Sequence, residues 1–235
     1  MKLSIVVPCY NEAENIPLIL ERFAQVIEER NIEVILVNNG SNDNSAEVIK
    51  ELIPLYKFVK TILVPINKGY GYGILQGLKE ADGDYIGWTH ADMQTDPNDV
   101  IKAYEIIKNN ESDKIFVKGN RKGRPWIDTI FTGGMSLFET IYFKTPMNDI
   151  NAQPNIFHKS FVEKWENPPY DFALDLYIYY NAQINNMNII RFPVLFPMRI
   201  HGQSKWNTDG FASKKKFIKR TLEYSKELKR TIKRK

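Results

Sequence analysis

The chain has 235 residues, 43% of them apolar and 26% charged, with a formal net charge of +4, which suits one large domain or two small ones burying roughly 70% of the unfolded chain's surface. Thirteen Phe, twelve Tyr and four Trp exclude a mainly disordered chain, and no apolar run approaches the ~18 residues of a helix that crosses a bilayer. The lone Cys9 excludes an internal disulfide, and with only three His it argues against an all-protein zinc site.

Leu3–Pro8 is short, β-branched and almost wholly apolar, as a strand buried on both faces should be. It is too short for the apolar segment of a secretory leader, so the expected location is cytoplasmic. A helical stripe of Ile16, Ile19, Leu20, Phe23 and Ile27 follows. Glu33–Asn38 reads as a second strand, followed by the polar turn Asn39–Asn44 and a helix through Leu52. Phe58–Val64 is a third strand, and the glycine-rich Asn67–Gly73 leads into a helix ending near Ala81. Asp84–Thr89 is a fourth strand, Asp96–Asn109 a helix with Pro97 in its first turn, and Lys114–Gly119 a fifth strand. Beyond these the pattern predicts a helix over 125–144, a strand over 149–157, a helix over 171–184 and a strand over 189–197. The tail from Ser213 places Phe217, Ile218, Thr221, Tyr224, Leu228 and Ile232 along one helical face.

Strand and helix alternate, so the fold class is α/β, a mostly parallel sheet flanked by helices, with a basic amphipathic helix at the C-terminus. The division expected is a domain over 1–212 and that helix over 213–235. Residues 214–235 hold eleven Lys or Arg against Glu223 and Glu227, a local charge of +9 that leaves −5 on the rest. Two readings stay open for this helix: a solvated element docked by its apolar stripe, or attachment to an anionic membrane surface. At ~1 kcal/mol for each engaged charge, attachment through half of the net charge is worth ~4–5 kcal/mol, enough for reversible binding. The acidic body and the absence of a recognisable binding module argue against nucleic acid.

In parallel sheets ligands sit beyond the carboxyl ends of the strands, so the turns there carry the candidate chemistry. Pro8-Cys9-Tyr10-Asn11-Glu12 sets an aromatic ring, an amide and a carboxylate past the first strand, suited to a base and ribose hydroxyls or to capping the next helix. Asn38–Asp43 offers further polar groups or plain turn chemistry. Asn67–Gly73 has three glycines before a helix, with Lys68 beside Gly69. That turn suits phosphate oxygens although it lacks the P-loop ending. After the fourth strand, His90, Asp92 and Gln94 offer ligands for a divalent cation shared with a diphosphate, Mg²⁺ or, given the imidazole, Mn²⁺. The competing role for Asp92 is an ordinary turn residue.

The segments SIVVPCYNE (4–12), VNNGSNDNS (37–45), NKGYGYG (67–73) and HADMQTDP (90–97), in this order, resemble the family 2 inverting glycosyltransferases of GT-A fold. In the second half KGNRKGR (118–124), DINAQPNIF (149–157), DFALDLYIYY (171–180) and RFPVLFPMRIHGQSKW (191–206) are similar to the dolichol- and polyprenol-phosphate sugar synthases of that family. The resemblance implies nucleotide-binding roles for Pro8, Tyr10, Asn11, Glu12, Asn39, Lys68 and Gly69, and metal roles for Asp92, Gln94 and His90. It implies phosphate contacts from Arg121, Arg199 and Lys205. Two positions depart from the family pattern: Asn38-Asn39 replaces a pair of aspartates, and His90 replaces the first aspartate of the metal element.

The implied activity is transfer of a sugar, with inversion, from a GDP- or UDP-sugar to a polyprenyl or dolichyl phosphate at the inner face of the membrane, where the chain is peripheral. A lipid phosphate is already ionised and needs cations rather than a base, and Lys118, Arg121, Arg124, Arg199 and Lys205 offer them. A hydroxyl acceptor needs a base. Asp175, four residues after Asp171 on one helical face, would be that base or would merely orient the cations. The catalytic set expected is Asp92, Asp175 and Arg121. The alternatives are a glycosyltransferase of the same fold acting on a saccharide hydroxyl in surface-polysaccharide assembly, and a non-catalytic binder of nucleotide sugars.

Overall fold

The computed structural model describes residues 1–197, 199, 201 and 211–232. Its strands are β1 (Leu3–Cys9), β2 (Ile32–Asn39), β3 (Val59–Val64), β4 (Tyr85–Trp88), β5 (Ile115–Lys122), β6 (Asn155–His158) and β7 (Asn188–Leu195). They form one sheet in the order β3-β2-β1-β4-β6-β5-β7. Every pairing is parallel except those of β6, which runs antiparallel to both β4 and β5.

The helices are α1 (Asn15–Ile27), α2 (Ser45–Leu52), α3 (Tyr70–Lys79), α4 (Pro97–Lys108), α5 (Trp126–Phe143), α6 (Ala173–Ile184) and α7 (Phe211–Ile232). They cover both faces of the sheet. On one face Leu3, Ile5 and Val7 of β1 meet Ile16, Leu20 and Phe23 of α1 and Val100 and Ile107 of α4. On the other, Val6 of β1 and Ile35 and Val37 of β2 meet α3, α6 and Leu228 of α7. The alternation along β1 is the period-two geometry of a strand covered on both sides. Each fully buried side chain of this kind stabilises the fold by roughly 1.5–3 kcal/mol. Gly77 lets α3 lie against β1: a Cβ there would stand 2.4 Å from Val6.

Two expectations need correction. The strand predicted over 149–157 is confined to Asn155–His158. Asp149 takes a left-handed φ of +41° and its carbonyl accepts from the Ala152 amide at 3.1 Å, turning the chain before the strand begins. Asp171 does not share a helical face with Asp175. Helix α6 starts at Ala173, and Asp171 sits ahead of it, accepting from the Ala173 amide at 2.9 Å and pairing with Arg220 of α7.

Helix α7 docks on α5 and α6. Ser225 donates to the fully buried Glu139 of α5 at 2.7 Å, and the Lys229 ammonium bonds the Tyr142 carbonyl and lies over its ring. The other oxygen of Glu139 has no hydrogen-bond partner among the described residues, and burial pushes this carboxyl up to about 7.

Candidate active site

The turns after β1 and β2 are laced together beyond the carboxyl edge of the sheet. Asn11, in a left-handed conformation, accepts from the Asn42 amide at 2.8 Å while its own amide donates to Ser41 Oγ at 3.0 Å. Asn42 Nδ2 lies 3.4 Å from the Tyr10 hydroxyl, and the Glu12 and Ala13 amides donate to Ser45 Oγ and Asp43. This knitting orders the polar loop residues before any ligand arrives.

Glu12 and Asp92 face one guanidinium. Arg199, reaching in from beyond β7, stands 2.7 Å from Asp92 and 3.7 Å from Glu12, with Gln94 Oε1 3.4 Å away. Gln94 is held by its Nε2 on the Pro197 carbonyl at 2.9 Å, and its backbone amide donates to Asp92 at 3.1 Å. Burial pushes the Glu12 carboxyl up, against the opposing pull of the Asn15 amide bonded to it, and the Asp92 charge pushes the same way as burial. Burial lowers the His90 imidazole, which favours its neutral form, the form that ligates a metal.

A dication here would be held by the Asp92 carboxylate, the His90 imidazole and the Gln94 amide oxygen. No three His, Cys, Asp or Glu among the described residues gather closely enough to cage a metal by themselves. One carboxylate and two neutral donors therefore fit a cation that takes few protein ligands and completes its shell with phosphate oxygens and water. They do not fit a closed structural site.

The glycine-rich turn is built for close packing. Gly69 has φ +123°, and a Cβ on it would stand 2.2 Å from the Tyr170 carbonyl, so only glycine fits. Asn39, 2% exposed, donates from Nδ2 to the Gly69 carbonyl at 3.0 Å and packs on Gly73; its Oδ1 has no hydrogen-bond partner among the described residues. Asn39 thus braces the turn from beneath. Lys68 lies over the Tyr72 ring at 5.1 Å.

Under the cleft runs a buried polar floor. Lys118, fully buried on β5, donates to the Ala152 carbonyl and to Asn155 Oδ1, both at 2.7 Å. Asn155 Nδ2 donates to Asp175 at 3.1 Å, and Gln153 Nε2 to Asp175 at 3.3 Å and to the Tyr70 hydroxyl at 2.8 Å. Burial pushes the Asp175 carboxyl up and the Lys118 ammonium down, and each charge opposes the shift of the other. The buried Trp88 indole N–H lies near enough to Asp175 and Tyr70 to bias both, yet meets neither at hydrogen-bond distance. Asp175 is 1% exposed.

The second wall is cationic. Arg121 binds Asp149 through Nε at 2.9 Å, through its terminal nitrogen and through its backbone amide at 2.8 Å. Arg124 and Arg191 stand 3.9 and 4.0 Å from the same carboxylate. Burial alone would raise Asp149, but the Arg121 guanidinium bonded to it outweighs that and holds the carboxyl below the usual range. Arg121 and Arg124 both lie over the Phe196 ring, at 5.2 and 5.9 Å.

The structure therefore gathers Tyr10, Asn11, Glu12, Asp92, Gln94 and Arg199 on one side and Arg121 on the other. His90 lies between Tyr70 and Phe196, with ring centroids 6.3 and 6.5 Å away. Pro8 is part of β1, paired with Val37. His201 lies 4.0 Å from Glu14, and Lys205 lies outside the described residues. Tyr70, Asp149, Gln153 and Asn155 carry no spacing signal, and only their contacts across the chain reveal them.

An acidic, polar rim and a cationic wall thus stand side by side beyond a mostly parallel sheet, the setting of a transferase. Residues 4–160 match the family described as Glycosyl transferase family 2, and the chain belongs to that family. It is 28% identical over 243 residues to dolichol-phosphate mannosyltransferase of Pyrococcus furiosus, a match covering 99% of this chain and 67% of that protein. It is 33% identical over 131 residues to undecaprenyl-phosphate 4-deoxy-4-formamido-L-arabinose transferase of Proteus mirabilis, covering 50% of this chain and 40% of the relative. The chain thus spans about two thirds of the first relative's length and two fifths of the second's. Glucosyl-3-phosphoglycerate synthase of Mycobacterium tuberculosis, solved with Mn²⁺ and UDP-glucose, superposes with a TM-score of 0.73 at 14% identity, covering 95% of this chain and 78% of that one. The shared fold is GT-A. No helix among the described residues is long and apolar enough to cross a membrane.

Proposed function

We propose that this chain transfers a glycosyl group, with inversion, from a GDP- or UDP-sugar to a polyprenyl phosphate at the inner membrane surface. The observation that carries the reading is the wall of Arg121, Arg124 and Arg191 around Asp149, with Lys118 buried behind it. Such an excess of guanidinium suits an acceptor that arrives as a phosphate. The matched relatives, named for dolichol and undecaprenyl phosphate, agree with it.

In this reaction the bond from the anomeric carbon to the donor's phosphate oxygen breaks, and its electron pair leaves with the nucleoside diphosphate. An oxygen of the acceptor phosphate forms the new bond on the opposite face. A phosphomonoester with its second pKa near ~6 is mostly dianionic at neutral pH, so no base has to remove a proton. Asp175, sealed into the floor, is placed to orient rather than to accept a proton from a substrate. Tyr10, Asn11 and Glu12, with Pro8 behind them, line the nucleotide side, while Asn39, Lys68 and Gly69 shape the adjoining turn. A dication held by Asp92, His90 and Gln94, Mg²⁺ or Mn²⁺, would neutralise charge on the departing diphosphate. Arg121 grips the acceptor, and Arg199, standing between Glu12 and Asp92, meets phosphate from the donor side.

Helix α5 supports the membrane placement. Trp126, Ile130, Leu137 and Ile141 lie on one face and are 61–71% exposed, while Glu139 and Phe143 on the opposite face are buried. An exposed apolar stripe beside the basic α7 suits the boundary of an anionic bilayer. In this reading residues 1–212 are the catalytic body and 213–235 the basic helix that helps attach it.

The deciding assay offers GDP-mannose and UDP-glucose with Mn²⁺ and a short polyprenyl phosphate in detergent. Glycosyl polyprenyl phosphate should form without any saccharide acceptor. Transfer to a saccharide hydroxyl alone, with no lipid product, overturns the proposal.

A further inference from the structure

Tyr70 is a side chain in the cleft to which the proposed reaction assigns no task. It opens α3 with its ring stacked on Phe172, centroids 4.7 Å apart at 14°. His90 and Arg121, one from each wall, lie in its electrostatic neighbourhood along with Asp92.

Its hydrogen-bonding pattern is fixed from below. Asp175, as a carboxylate, can only accept, so it dictates that the Gln153 amide presents nitrogen rather than oxygen. The two hydrogens on that nitrogen are then both used, one on Asp175 at 3.3 Å and one on the Tyr70 oxygen at 2.8 Å. A phenol oxygen that accepts from Gln153 must send its own hydrogen elsewhere. No group among the described residues accepts it at hydrogen-bond distance. Burial also raises the Tyr70 hydroxyl well above its usual range, so it keeps that hydrogen.

We propose that Tyr70 donates this hydrogen bond to a phosphoryl oxygen of the reactants, with Gln153 and Asp175 as positioning residues and Lys118 as the counter-charge that keeps Asp175 accepting. The inference rests on the reading that the cleft takes phosphates, and it adds a neutral donor between the cation of one wall and the guanidiniums of the other. The phosphoryl oxygen belongs either to the departing diphosphate or to the acceptor phosphate.

The test uses the full chain with the sugar nucleotide that the wild type turns over, Mn²⁺ and a short polyprenyl phosphate in detergent. Tyr70→Phe keeps the ring stacked on Phe172 and should lower kcat/KM about tenfold or more, the value of one hydrogen bond to a charged group. A fall in kcat with weaker nucleoside-diphosphate binding assigns the bond to the departing group. A raised KM for polyprenyl phosphate alone assigns it to the acceptor. Gln153→Leu should move the same parameter in the same direction, a split that general loosening of the fold would not produce. A Tyr70→Phe enzyme within twofold of an active wild type in kcat and both KM values overturns the inference alone. A wild type with neither nucleotide binding nor turnover removes the reading of the cleft, and the inference with it.

Discussion

On the donor wall two carboxylates, Glu12 and Asp92, share one guanidinium; on the facing wall one carboxylate, Asp149, is shared by three. The first wall is short of positive charge and the second has it in surplus. Each imbalance describes the ligand that would correct it, a cation with its diphosphate on one side and a phosphate on the other. The comparison also shows that charge need not be balanced locally.

Removing the carboxylate proposed to hold the dication should have the largest effect. Asp92→Ala should cut turnover by on the order of 10²–10³-fold, the scale for losing one preorganised electrostatic contact, while lipid-phosphate affinity stays within a few-fold. Steady-state rates at saturating donor, against Mn²⁺ concentration, check this. On the cationic wall, Arg121→Lys keeps the charge but loses the forked contact with Asp149. It should raise the KM for polyprenyl phosphate roughly tenfold and leave nucleotide affinity unchanged, measurable by titration calorimetry with GDP or UDP. If both variants shift both affinities equally, the two walls are not separate sites.

Asp175→Asn sharpens the contrast between floor and walls. A general base contributes about 10²–10⁴-fold, whereas a buried orienting group should cost less than about tenfold in kcat, with donor binding retained. A loss in the upper range would make Asp175 the base and favour a hydroxyl acceptor.

The smallest effect on turnover is expected far from the cleft, at Glu139, which acts on stability instead. Its folded carboxyl, near 7, holds a proton more tightly than an ordinary one at 4.5. Protons therefore favour folding: the contribution is complete below about pH 4.5 and is lost as pH rises to about 7. At ~1.4 kcal/mol per pH unit the loss is at most about 3 kcal/mol. Glu139→Gln should abolish this slope and be the more stable protein at pH 8, as denaturant midpoints across pH 4–8 will show.

The donor wall was legible in the sequence because its residues lie within single turns: Tyr10 to Glu12 after one strand, His90 to Gln94 after another. Local spacing records such clusters. Asn39 lies in the turn expected of it, but nothing local says that Gly69 and Gly73 press on it from above. The cationic wall was legible only as a list of basic residues; Arg124 looks no different from a solvated surface charge until Phe196 closes over it. The floor was legible only in part: Lys118 and Asp175 stood out as charges, but their meeting through Gln153 and Asn155 did not. Lys118 belongs to an apolar strand, Gln153 and Asn155 to an irregular segment and Asp175 to an apolar helix, and these residues meet through contacts across 20 to 37 positions of chain. The same distance hid the start of the strand expected from residue 149: the turn at Asp149 answers to Arg121, 28 residues earlier.

The reversed direction of β6 has a consequence for how the floor is supplied. Its forward-running neighbours can bring only their endings to the ligand side, but a strand laid the opposite way brings its beginning. Asn155 consequently arrives opposite Trp88 and Lys118, with Gln153 just upstream. Successive residues alternate faces, so a slip of one position would exchange Asn155 for Ile156 and put a hydrocarbon where Lys118 and Asp175 need an amide between them. Four residues of register thereby decide whether the ground beneath the substrates is wet or greasy.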